Sequence, residues 1–135
     1  MRIPAKVPGL RFLTVLMVGY GAVWMSLEGG MVRVLVMGVG ITAVSLLYTW
    51  QKWFGGRMMS KKRWLVLTAV SGLAFGTSSG ILTLIFMAVK TGIHAHGPEF
   101  TPSQIEWVLR QIPFWAVAGC VAGLGIGLVG IGRFR

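Results

Sequence analysis

Four long apolar runs dominate the chain and leave it little choice of solvent. They are Leu10 to Leu27, Met31 to Trp50, Trp64 to Val89 and Phe114 to Ile131. Each is near the roughly 20 residues that a helix needs to cross a bilayer. In lipid every backbone N–H and C=O must be satisfied internally, which selects helices over open strands. Hydrophobic residues fill 55% of the 135 positions and charged residues only 12%, against about 25% charged in a soluble domain. The runs consume most of the sequence, so no length remains for a separate aqueous core. The expected fold is an all-α integral membrane protein. It forms one domain over residues 1–135, with four transmembrane helices arranged as two antiparallel hairpins.

Charge then sets an expected orientation. Arg2, Lys6 and Arg11 precede or open the first run, Lys52, Arg57, Lys61, Lys62 and Arg63 separate the second from the third, and Arg133 and Arg135 end the chain. These are ten of the thirteen basic residues, and four crossings put them all on one side. Arg33, Lys90 and Arg110 fall on the other side with all three acids, Glu28, Glu99 and Glu106. This is the bias of the positive-inside rule. It predicts cytoplasmic termini in a bacterial-type inner (plasma) membrane. The net charge of +10 is therefore read as attraction of Lys52, Arg57, Lys61, Lys62 and Arg63 to anionic lipid headgroups. No basic stripe lies on a folded aqueous surface, so nucleic acid is not an expected partner. The first run is too long for a signal-peptide core, and Trp24 to Glu28 offers no small-x-small cleavage site, so it reads as a retained span.

Glycine spacing gives the packing rule. Gly72, Gly76 and Gly80 recur at every fourth position of the third run, and Gly119, Gly123 and Gly127 do so in the fourth. On a helix such rows form a groove that admits a second backbone. Centring both runs in the bilayer pairs Gly72 with Gly127, Gly76 with Gly123 and Gly80 with Gly119. The same rows are equally suited to association with a second chain.

Between these runs, Thr101, Pro102 and Gln104 form a helix start. The threonine suits the N-cap, the proline the first helical position, and the glutamine completes a capping box. Ile105, Val108, Leu109 and Ile112 then recur at helical spacing. Residues 102–112 are expected as an amphipathic helix in the outer interface, anchored by Trp107. Pro113 is expected to bend the chain before the fourth span.

Chemistry-bearing residues are few. His94, His96 and Glu99 offer two imidazoles and a carboxylate within an outer loop taken to run from Lys90 to Phe100, a candidate metal set. Thr77, Ser78 and Ser79 sit near the middle of the third run as a candidate polar path, although helix hydroxyls also bond to the preceding turn. No nucleophile–base set appears, and no ionisable group is placed at the centre of a span, where ion pathways usually keep one. The four short spans are similar to those of the small multidrug resistance exporters, which carry a glutamate in mid first span; Glu28 stands at the end of this one. Gly123, Gly125 and Gly127 resemble the first helix of rotary ATP synthase c subunits, without the acidic ion-binding residue of that family. The expectation is a non-enzymatic membrane protein without a cofactor, an accessory subunit or assembly factor of a larger complex. The alternatives are a small oligomeric channel or transporter and a metal-handling protein.

Overall fold

The computed structural model describes residues 2–27, 30–93 and 97–133. Among them are four helices: α1 (Leu10–Ser26), α2 (Met31–Phe54), α3 (Lys61–Ile93) and α4 (Pro102–Arg133). Three of these, α2, α3 and α4, are long and apolar enough to cross a membrane; α1 has 17 residues. At about 1.5 Å per residue, α3 and α4 each reach close to 50 Å, well beyond a hydrocarbon core of roughly 30 Å. The main contacts join sequence neighbours, and α3 packs on α4 most extensively.

Small residues decide the α3–α4 and α2–α3 contacts. A Cβ placed on Gly72 would overlap the Gly119 carbonyl, one on Gly76 the Trp115 carbonyl, and one on Gly123 the Thr68 carbonyl. The α3 and α4 backbones therefore touch directly, and the helices run antiparallel. The pairing differs from the one obtained by centring the two apolar runs. Gly72 lies against Gly119 instead of Gly127, and Gly80 against the Ile112 side chain, a shift of about two turns. The cause lies in residues 102–112. They are helical, but they do not form a separate interfacial helix. α4 continues through Pro113 without interruption, so its midpoint falls earlier in sequence. Proline lacks the N–H that would bond to Leu109 and costs a helix interior about 3 kcal/mol. Ile112 and Trp115 hold the helix against α3 on either side of that defect. The capping box forms as expected. Thr101 N–H donates to Gln104 Oε1 at 2.9 Å, and Gln104 N–H donates to Thr101 Oγ1 at 3.3 Å.

On its other side α3 receives α2. A Cβ on Gly38 would overlap the Thr83 hydroxyl and stand 2.9 Å from the Ser79 carbonyl. The α1–α2 contact is looser and made by methionines, with Met17 filling the space beside Gly40 and Met37 that beside Gly21. The N-terminal segment folds back on the α2–α3 turn. Ile3 N–H donates to Arg57 O at 3.0 Å and Gly56 N–H to Ile3 O at 3.1 Å. Gly56 has a φ of 77°, a left-handed conformation that favours glycine at this reversal. Trp64 in α3 donates its indole N–H to Gly127 O at 3.0 Å. The N-terminus, the α2–α3 turn and the C-terminal part of α4 thus share one end of the molecule. Arg2, Lys6, Arg11, Lys52, Arg57, Lys61, Lys62, Arg63 and Arg133 are all exposed.

The seam yields a direct expectation. Gly76→Leu forces α3 and α4 apart and costs about 3 kcal/mol or more. Gly19→Leu, where no atom lies within 4 Å of the added Cβ, leaves stability unchanged. Unfolding of both variants in mild detergent by the denaturant SDS measures the difference.

Candidate functional site

Lys90 marks the most unusual site among the described residues. The sequence suggests a loop beginning at Lys90, yet α3 continues to Ile93 and carries this lysine into its last turn with no solvent exposure. The ammonium donates to Trp24 O at 2.6 Å and to Leu27 O. It also stands 4.6 Å from the centroid of the Trp24 ring, within cation–π range. Trp24 lies in the last turn of α1 and Leu27 caps it, at the end where helix carbonyls carry the negative end of the dipole; Trp24 O also accepts the Leu27 N–H at 3.3 Å. α1 has no basic residue of its own in that turn. The cation comes instead from 63 and 66 positions further along the chain. Lys90 thus stands in the last turn of a helix long and apolar enough to cross a membrane, with its ammonium turned inward to backbone carbonyls.

The surroundings are apolar. Trp24 packs edge-on against Phe86 with centroids 5.9 Å apart. Met87, Val34, Phe100 and Val108 complete a buried cluster to which all four helices and the segment before α4 contribute. The site can therefore hold a helix end in place, because the ammonium donates to two carbonyls there. The sequence did carry a signal for it. Gly76, Ser79, Thr83, Met87 and Lys90 follow one another at intervals of three or four, and all are buried. That row continues the inner face of α3 through the lysine.

The other candidate residues fall out differently. Thr77, Ser78 and Ser79 occupy successive positions on α3, about 100° apart, and so do not share one face. Thr77 donates to Leu73 O at 2.9 Å. Ser79 is buried against α2, and its hydroxyl has no hydrogen-bond partner among the described residues. Ser78 borders a shallow α2–α3 cleft of about 360 Å³ with Thr42, Ser45 and Thr49. His94 and His96 lie outside the described residues; Glu99 is partly buried. Among the described residues no group of three His, Cys, Asp or Glu is placed to hold a metal. Glu28 also lies outside them, while Glu106 and Arg110 form an ion pair at 2.6 Å on an exposed surface. Cys120 is a free thiol.

A second feature lies at the basic end. Trp50 donates to Ser71 Oγ at 2.7 Å and meets Trp64 edge-on at 5.5 Å. With Gly72, Phe75, Gly119 and Gly123 these rings line an apolar cleft of about 390 Å³ between α2 and α4. Both indole N–H groups are already bonded, so the cleft presents only ring faces and hydrocarbon.

The chain matches no protein-family model, no curated protein and no solved structure.

The geometry at Lys90 predicts a specific lesion. Lys90→Met keeps the bulk but withdraws the cation from two helix carbonyls, and it costs about 2 kcal/mol. Faster amide exchange appears first in the last turn of α1. Arg110→Gln, at an exposed ion pair, changes stability by less than about 1 kcal/mol. Hydrogen-exchange mass spectrometry of the two variants distinguishes them.

Proposed function

We propose that this chain is a non-enzymatic four-span membrane protein acting as an accessory subunit or assembly factor within a larger membrane complex. α1 is the fourth crossing in this reading. Its N-terminal lead is tied to the α2–α3 turn through Ile3 and Arg57, and its C-terminal carbonyls are tied to Lys90 near the opposite end of α3. The lead and α1 together thus run between two opposite ends of the molecule. With four crossings the exposed basic residues lie on the cytoplasmic face of a bacterial-type inner membrane, as positive charge favours. Lys52, Arg57, Lys61, Lys62 and Arg63 then meet anionic headgroups. The reading includes no cofactor and no nucleic-acid partner.

The observation that carries the role is the outward face of α4. One side of this helix is committed to α3 through Gly119, Gly123 and Gly127. Another presents Ala118, Val121, Ala122, Gly125 and Leu128 to the surroundings, all exposed. A side chain added at Gly125 would meet no atom within 4 Å. Small residues on a lipid-facing surface let a second helix approach closely. Gly125→Leu should therefore leave the isolated chain as stable as before and reduce recovery of co-purified subunits from mild detergent by at least about tenfold, as roughly 1.4 kcal/mol of lost association does. Recovery of the native chain as a lone monomer would contradict the proposal.

The cleft bordered by Ser78, Thr42, Ser45 and Thr49 favours one alternative, a small oligomeric channel or transporter whose polar path uses Ser78 in place of the full Thr77–Ser79 set. Liposome flux of a small solute that falls in Ser78→Ala supports it; unchanged flux removes it.

A further inference from the structure

We infer that the first turns of α3 form a specific site for one anionic glycerophospholipid, beyond the general attraction of a basic surface for the membrane. A groove of about 440 Å³ runs along this part of the molecule, bordered by Phe54, Met59, Lys62, Arg63, Val66, Leu67 and Val70. Its wall is apolar throughout. Lys62 and Arg63 therefore border it through their methylene stems, with their charged heads at its margin, as long cationic side chains do at a headgroup boundary. Val66 and Val70 are 63% and 55% exposed, so the groove opens sideways to where acyl chains lie.

The occupant follows from the way charge and hydrocarbon are divided. The apolar floor is on consecutive turns of one helix, at Val66, Leu67 and Val70, and it accepts an extended chain laid along α3. The two cations stand at the N-terminal limit of that floor. A molecule that satisfies both has a phosphate at one end and hydrocarbon at the other. Arg63 supplies a planar fork suited to phosphate oxygens, and Lys62 adds a point charge. Among the described residues no acidic side chain borders the groove; Glu99 lies in the segment before α4 and Glu106 in the first turns of α4. The Trp50–Trp64 cleft lacks this division: no charged residue borders it. The basic groove is therefore the site assigned to the lipid.

The test uses the full chain released from nonionic detergent and titrated with dioleoylphosphatidylglycerol or dioleoylphosphatidylcholine, with bound lipid counted by native mass spectrometry. The wild type retains phosphatidylglycerol preferentially. The Lys62→Gln/Arg63→Gln variant loses roughly thirty-fold in apparent affinity for it, as removal of two headgroup contacts implies. The Lys52→Gln/Lys61→Gln variant removes the same charge outside the groove and stays near wild type. Val70→Trp fills the floor and weakens both lipids. Equal losses in the two double variants would show bulk attraction only and overturn the site, as would retention by Lys62→Gln/Arg63→Gln. A thermal midpoint matched to wild type shows that each variant is folded. None of these readouts depends on a partner subunit, so the accessory-subunit reading stands or falls separately.

Discussion

Direct contact between the α3 and α4 backbones is the constraint on which the rest of this structure depends. Three of the helices are long and apolar enough to cross a membrane; for helices in lipid, apolar side chains gain little by leaving hydrocarbon for one another, and association rests on close approach and dispersion. Gly72, Gly76, Gly119 and Gly123 permit that approach because each faces a carbonyl or backbone atom of the partner helix. Once α3 and α4 are so joined, α3 still has a second face. Gly38 of α2 meets that face at Ser79 and Thr83. α3 is thus the central helix, and every other helix is positioned by reference to it.

α1 is held by different means. Its contacts with α2 use flexible methionines, which fill space without fixing a register strictly. The fixed point is polar: Lys90 donates to the carbonyls of Trp24 and Leu27. A buried cation is costly unless paired, and here the C-terminal end of α1 supplies the pairing through the carbonyls of Trp24 and Leu27. The same interaction therefore settles the lysine and ends the helix. The molecule divides into a rigid glycine-seamed hairpin and a more loosely packed first helix pinned at its far end.

The helical class, the two glycine rows, the capping box and the collection of basic residues at one end were all legible in the sequence, because each rests on a local spacing rule. Two features were not. Pro113 reads as a break, since it lacks an N–H, and only the packing of Ile112 and Trp115 on α3 shows why the helix continues. That continuation displaced the pairing of Gly72 from Gly127 to Gly119. Lys90 reads as the start of a loop, since a charge near the end of an apolar run marks a boundary in any hydropathy scan. Its position in the buried row with Thr83 and Met87 pointed inward, but its partner lay in α1, more than sixty positions away, and no local rule connects the two.

The most direct test of the account is the register of the α3–α4 hairpin. Spin labels at exposed Leu73 of α3 and at Val121 or Leu128 of α4 report it by pulsed electron paramagnetic resonance in bilayer nanodiscs, with Cys120 replaced by serine in both pairs. Val121 and Leu128 lie almost on one face of α4, about 10 Å apart along its axis. With Gly72 against Gly119, the Leu73–Val121 pair gives the shorter distance. A shorter distance for Leu73–Leu128 would place Gly72 beside Gly127 and contradict the seam on which the structure is built.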